Sequence, residues 1–219
     1  MRLTALQYGK TLLPAHMAFP APEDERPLPI SLLFFLLEVG DRRILIDVGC
    51  DTMPGFELIE HQSPVLVLER AGVRREDVTD VFLTHSHHDH ADGLRHYPQA
   101  TVHIHESELA AIRPYLVGQN VRTFRDTLPL ADGVTARHIG GHSPGSSVVL
   151  LASRGETIVL CGDECYTRAC LDEKRPTGAS KNPERSRAFV EKFSDPKYTV
   201  LLAHDAAILP GHLGAVQII

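Results

Sequence analysis

Three observations predict a layered α/β domain. Short apolar runs typical of buried strands alternate along the chain with segments that have helical spacing and helix-start residues. The 219 residues are enough for one domain with a full hydrophobic core. A content of 43% hydrophobic and 23% charged residues is ordinary for a globular protein. We therefore expect a single domain over residues 1–219, with sheets covered by helices rather than an all-β sandwich.

The first third of the chain predicts a loop, a hairpin and a helix, in that order. Pro20–Pro29 is rich in proline and charged residues, which indicates a loop. Ile30–Val39 and Arg43–Val48 flank Gly40–Asp41 and predict a hairpin of two buried strands. Ser63–Pro64 is a helix-start signal followed by apolar residues at helical spacing.

The rest of the chain predicts further short strands and a last helix. Asn182–Pro183 predicts the start of that helix, in which Phe189 and Phe193 lie one turn apart. Strands are predicted at Asp80–Thr84, Ala100–His105, Val134–Ile139, Ser147–Leu151, Thr157–Leu160 and Tyr198–Ala203. Strand-like runs lead directly into His85, Asp163 and His204, and strand ends can converge at one sheet edge.

Histidine is over-represented, with 13 residues, and four metal-capable groups lie within six positions. They form a His-x-His-x-Asp-His pattern at His85, His87, Asp89 and His90. His85 and His87 are two apart, so in an extended chain they point the same way. Crowded imidazoles are costly unless something binds them, and a metal ion is the simplest partner.

These motifs, with three partners downstream, resemble the metallo-β-lactamase superfamily. The partners are His142 in a Gly-Gly-His-Ser-Pro-Gly segment, Asp163 and His204. Leu45–Gly49 also resembles the early Asp-x-Gly motif of that family, in which Asp47 would orient a ligand rather than bind metal. The resemblance runs from about Ile30 to Gly211. It implies a four-layer αββα sandwich with a dinuclear metal site at one edge.

The resemblance also implies a complete ligand set and a reaction. The implied ligands are His85, His87 and His142 for one ion, Asp89, His90 and His204 for the other, and Asp163 as a bridge between them. Five imidazoles and two carboxylates favour two Zn(II) ions per chain and are compatible with Mn(II), Fe(II) or Co(II). The implied reaction is hydrolysis, in which water activated by two ions attacks a carbonyl carbon.

One tyrosine narrows the substrate class. Tyr166 follows Asp163 by three residues, as in the N-acyl-homoserine lactonases of this superfamily, and the His142 segment is similar to theirs. The resemblance implies opening of a lactone ring, most simply that of N-acyl-homoserine lactones, which is quorum quenching. Tyr166 and Asp89 are the candidate catalytic residues. The structural alternative for Tyr166 is packing at the sheet edge.

The chain departs from the lactonases in length and in aromatic content. The chain is shorter than typical lactonases, and aromatic residues are only 6% of it, without tryptophan. Leu12–Phe19 is apolar and predicts a wall of the substrate pocket, an edge strand or a dimer contact. Residues 1–29 are therefore expected to form a strand/loop segment that covers the site or mediates a homodimer.

Alternative functions remain open from the sequence. An esterase or thioesterase for another small substrate would use the same ligands, and a non-catalytic metal-binding protein would keep them without turnover. A net charge of −6 argues against nucleic acid, and the longest apolar run, Ile30–Leu37, is too short to cross a membrane. The four cysteines show no zinc or disulfide spacing, so we expect free thiols in the cytoplasm.

Overall fold

The computed structural model describes residues 1–22, 24–153, 155–209 and 213–219. The strands are β1 (Arg2–Leu13), β2 (Leu28–Val39), β3 (Arg42–Ile46), β4 (Leu58–His61), β5 (Asp80–Phe82), β6 (Thr101–His105), β7 (Val121–Phe124), β8 (Thr127–Ala131), β9 (Val134–His138), β10 (Ser147–Ser153), β11 (Glu156–Leu160), β12 (Tyr198–Leu201) and β13 (Gly214–Gln217). The α-helices are α1 (Ala15–Ala18), α2 (Pro64–Arg70), α3 (His88–Ala91), α4 (Leu109–Ile112), α5 (Arg168–Asp172) and α6 (Pro183–Phe193).

The described strands form two sheets. The first has eight strands in the order β13-β1-β2-β3-β5-β6-β7, with β4 also paired to β1. Its β3, β5, β6 and β7 run parallel, and the other pairs are antiparallel. The second sheet has the order β12-β11-β10-β9-β8, in which only the β11–β12 pair is parallel.

Alternation of side chains along the strands builds the layers. In β2, Phe35 faces the second sheet, whereas its neighbour Phe34 faces outward to a separate apolar cluster. That outer cluster includes α2 and the residues around Leu94, and a third cluster joins the second sheet to α5 and α6. Helices therefore cover both outer faces, which confirms the predicted four-layer αββα class. Strand β2 is apolar almost throughout because both of its faces are buried.

Most predicted elements are present, but the N-terminus differs from its prediction. β1 is a 12-residue strand inside the first sheet, paired with β2 on one side and with β13 and β4 on the other. A strand was predicted somewhere in residues 1–29, but neither its bounds nor its place inside the sheet followed from the sequence, and Leu12 lies at its end rather than in an edge strand. β3 ends at Ile46 instead of Val48, because Asp47 adopts a φ of 63° in the left-handed region.

Two further findings concern cysteines and membranes. All four cysteines are free and buried, as predicted. Among the described residues, no helix combines the length and apolarity needed to cross a bilayer.

The start of α6 provides a test of local stability. The Asn182 side chain accepts a hydrogen bond from the backbone N–H of Arg185, at 3.2 Å, and so caps the helix. We expect Asn182→Ala to lower the free energy of unfolding by about 1 kcal/mol in urea denaturation. Ser63→Ala is the matched control, because Ser63 precedes α2 without making a side-chain cap bond. Equal losses in the two variants would contradict the capping role.

Candidate metal centre

The candidate ligands come from loops at one edge of both sheets. His85 to His90 lie between β5 and the end of α3, on the first sheet. From the second sheet, His142 lies between β9 and β10, Asp163 lies in a 3-10 turn after β11, and His204 follows β12. Chain positions more than 100 residues apart are thus brought together, as the strand-end pattern predicted.

The seven predicted residues form two adjacent groups in the structure. In each group one nitrogen or carboxylate oxygen per residue lies within 4.8 Å of the others. The groups are His85, His87, His142 and Asp163, and Asp89, His90 and His204. The division of the six terminal ligands is the one that the family resemblance implied, and Asp163, the implied bridge, is grouped with the first set.

Asp163 lies between the two groups with one oxygen toward each. Its Oδ1 is 3.0 Å from Nε2 of His90 and 3.0 Å from Nε2 of His204. Its Oδ2 is 3.4 Å from Nε2 of His142 and 3.6 Å from Nε2 of His85. A carboxylate in this position can contact an ion in each group.

The donor atoms fit divalent cations. In the described part of the chain, the buried Nε2 atoms of His85 and His90 have no hydrogen-bond partner. Such atoms are costly inside a protein unless an ion or a proton satisfies them. Imidazole nitrogens with carboxylate oxygens are the usual ligands of Zn(II).

The protonation states also suit metal binding. Burial lowers the pKa of His85 and brings the pKa of His142 to about 4, so both rings are neutral. Burial opposes ionisation of Asp163, but the rings of His90, His204 and His85 hold its pKa well below the ordinary value. Burial would also lower the pKa values of His90 and His204, yet Asp163 and Asp89 raise them. The negative potential that does so equally favours a cation.

Asp47 has the orienting role expected of it. Its Oδ2 is 2.9 Å from Nδ1 of His90, on the side of the ring away from Asp163. The backbone N–H and the hydroxyl of Thr84 donate to the same carboxylate. His88, by contrast, points away from both groups, as expected, with Nε2 2.8 Å from the carbonyl oxygen of Thr52.

Two buried carboxylates beside the site were missed by the sequence analysis. Glu108 and Glu164 both accept hydrogen bonds from the loop that carries His142. Isolated glutamates in short polar segments resemble solvated surface residues, and no spacing in the sequence distinguishes these two. Only their burial, 3% and 0% exposed, separates them from ordinary surface glutamates.

A cavity of about 270 Å³ opens on the two groups. Its walls are mainly apolar: Leu13, Met17, Ile30, Met53 and Phe56. Tyr166 also lines the cavity and is buried, with its ring centroid 5.2 Å from that of His204 and 5.9 Å from that of His142. Burial and the carboxylates of Asp163 and Asp89 raise the pKa of Tyr166, so its hydroxyl stays protonated.

Comparisons with known proteins identify the family of the chain. The profile of the metallo-beta-lactamase superfamily matches residues 33–204. A probable metallo-hydrolase of Mycobacterium tuberculosis is 24% identical over 226 residues, covering 78% of this chain and 73% of that protein. An N-acyl homoserine lactonase of Bacillus thuringiensis is 22% identical over 238 residues, covering 93% of each chain.

Solved structures show the same fold. One is an N-acyl homoserine lactone hydrolase with the product N-hexanoyl-L-homoserine bound at its catalytic metal centre. It is 20% identical and superposes with a TM-score of 0.81 over 94% of each chain. The fold and the His/Asp site define the class of protein as a metal-dependent hydrolase. The chain belongs to the metallo-beta-lactamase superfamily.

The position of Asp163 predicts how metal content responds to its removal. We expect Asp163→Ala to lose the paired site, because both groups lose their shared oxygen donor. Elemental analysis after dialysis should give one ion per chain or fewer, where we expect two for the parent protein.

Asp205→Ala is the matched control for this measurement. It follows His204 directly, but its carboxylate accepts a bond from the backbone N–H of Ala207, at 2.8 Å, outside both groups. An Asp163→Ala protein that kept two ions and full activity would contradict the ligand assignment.

Proposed function

We propose that this protein opens lactone rings by hydrolysis at a site that holds two divalent ions, with Zn(II) favoured. The proposed substrates are N-acyl-homoserine lactones, so that the activity would be quorum quenching. One observation carries the proposal: two His/Asp groups, with the Asp163 carboxylate between them, border a mainly apolar cavity that Tyr166 also lines. The lactonases among the relatives support the choice of substrate.

The ligand groups would hold the ions, and the rest of the cavity would bind the substrate. Ions held there would supply activated water and polarise the scissile carbonyl. Leu13, Met17 and Phe56 offer apolar surface for an acyl chain, whose binding depends mainly on buried area. Among the described lining residues none is lysine or arginine, which suits a neutral substrate better than an anionic one.

Tyr166 and Asp89 are the proposed catalytic residues of the chain itself. The neutral phenol of Tyr166 can donate a hydrogen bond to the oxygen that gains charge during ring opening. Asp89 is the more exposed of the two carboxylates, at 16% against 4% for Asp163. In this proposal, Asp89 would carry a proton between the cavity and the leaving oxygen, while the group of Asp89, His90 and His204 holds an ion.

The N-terminal segment would shape the pocket. Leu13 and Met17 belong to it and line the cavity, which supports the interpretation that residues 1–29 cover the site. Dimerisation through the same segment stays a prediction. The four free thiols favour a reducing compartment, and we propose the cytoplasm.

Tyr166→Phe tests the hydrogen-bonding role. We expect the variant to retain its metal and to open lactones about ten- to a thousandfold more slowly, through loss of one bond to the transition state. Initial rates and metal content would be measured together. Tyr97→Phe is the control, because the buried hydroxyl of Tyr97 has no hydrogen-bond partner in the described structure. An unchanged rate for Tyr166→Phe would leave Tyr166 with a packing role.

The substrate class is tested by proton release on a panel of acyl-homoserine lactones, γ-lactones and simple esters. The metal-loaded protein is compared with chelator-treated protein. We expect chelator-sensitive opening of homoserine lactones at rates well above those of the esters. Turnover of the simple esters alone would contradict the lactonase proposal and leave a hydrolase of another specificity. No turnover of any substrate by metal-loaded protein would indicate a non-catalytic metal-binding protein.

A further inference from the structure

Glu108 is a buried carboxylate that touches neither ligand group. It ends the 3-10 turn after β6, directly before α4, and its side chain reaches toward the metal centre from the first sheet. It is 3% exposed. An ionisable side chain buried so deeply is rare unless its oxygens are satisfied, so its partners indicate its role.

The partners of Glu108 belong to two different ligand-bearing segments. Its Oε1 accepts hydrogen bonds from the Ser143 hydroxyl and from the backbone N–H of Gly145, both at 2.7 Å. Its other oxygen, Oε2, accepts from the hydroxyl of Ser86. Ser86 lies between His85 and His87, and Ser143 directly follows His142. One carboxylate therefore joins the His-x-His segment of the first sheet to the His142 loop of the second.

We propose that Glu108 is a positioning residue that sets the spacing between the His-x-His segment and His142, and thereby the affinity of that group for its ion. The inference rests on the proposed metal site and adds a determinant of it. Three of the four residues in this group, His85, His87 and His142, come from the two segments that Glu108 joins. A change in the gap between the segments would alter all of their distances to a shared ion.

Other contacts fix parts of these segments but do not replace Glu108. Glu164 accepts from the backbone N–H groups of Gly141 and His142, at 3.0 and 3.2 Å, which anchors that loop to the Asp163 turn. The N–H of Ser147 donates to the carbonyl oxygen of Thr84, at 2.9 Å, beyond the loop. In the described chain, Glu108 is the side chain outside the ligand set that hydrogen-bonds both segments.

The glycine at position 145 is explained by the same contact. A Cβ atom there would lie 2.6 Å from Cγ of Glu108 and 2.8 Å from Nδ1 of His105. Both atoms belong to buried side chains, so a methyl group would force the loop away from the carboxylate. The close approach of the loop to the carboxylate therefore requires both a glycine at position 145 and the glutamate at position 108.

The charge of Glu108 is consistent with this role. Burial opposes its ionisation, but the hydroxyls of Ser86 and Ser143 and the N–H of Gly145 lower its pKa. An ionised carboxylate accepts all three bonds, and bonds to a charged acceptor are stronger than neutral ones.

The test measures metal affinity rather than turnover. Metal-free protein is titrated with Zn(II) against a chromophoric chelator, and Co(II)-loaded protein is compared by visible spectroscopy. We expect Glu108→Ala to weaken the binding of one of the two ions by about 10- to 100-fold and to change the Co(II) spectrum, as for other residues that orient ligands. Glu108→Gln keeps the shape and one acceptor oxygen, and its NH2 group can donate to the Ser86 hydroxyl, so its loss of affinity should be smaller. Gly145→Ala should resemble Glu108→Ala.

Leu151→Ala is the control for simple destabilisation. Leu151 is fully buried between the sheets, four residues along β10 from Ser147, and its truncation should lower the unfolding temperature without changing metal affinity. If Glu108→Ala does not fold, Ser86→Ala removes only the hydrogen bond between Glu108 and the His-x-His segment. It should still lower the affinity for one ion.

Three outcomes separate the hypotheses. Loss of affinity for one ion in the Glu108 variants, with Leu151→Ala unchanged, supports the positioning role. Affinities in Glu108→Ala or Ser86→Ala that equal those of the parent protein, or that fall only as far as in Leu151→Ala, overturn it. Failure of the parent protein itself to bind ions would instead contradict the proposed function.

Discussion

The structure depends on how the charged and polar side chains at one edge of the two sheets are satisfied. Five imidazoles and two carboxylates converge where the loops of two sheets meet. In the described chain, the buried Nε2 atoms of His85 and His90 make no hydrogen bond. Such a cluster is unfavourable without a bound cation. Buried imidazole nitrogens lose their hydrogen bonds to water, and nearby ionised carboxylates repel each other. Divalent cations remove both difficulties, so the same feature that opposes folding of the metal-free protein provides the metal affinity.

The sandwich makes this crowding geometrically possible. Apolar faces of the two sheets pack together, and the remaining faces pack on helices, so the backbone of each sheet is held firmly up to the strand ends. The ligands lie just beyond those ends, on short loops that can adopt unusual conformations. Asp47, with its positive φ, orients His90, and Glu108 joins the loops of the two sheets. A rigid scaffold with short, braced loops is the arrangement that a precise metal site requires.

Local patterns predicted the layered fold class and the residues that gather at the site, but less of what surrounds them. The hairpin of β2 and β3 and helix α6 were evident because apolar runs, turns and caps are local signals. The length of strand β1 and its position inside the sheet were missed because Arg2–Leu13 mixes polar and apolar residues, and its burial depends on neighbours from both ends of the chain. Glu108 was missed because burial of a lone glutamate is a property of the packed fold.

The sequence by itself determined which residues gather at the site, since the spacing of His85, His87, Asp89 and His90 and the strand ends before Asp163 and His204 are properties of neighbouring positions. The family resemblance implied how they divide into two groups, and the tertiary structure decided which oxygen of Asp163 faces each group and which side chains brace them. The tertiary structure also decided that Leu13 and Met17 form the cavity wall. Distances between segments far apart in the chain depend on how whole sheets pack, and no local pattern encodes that packing.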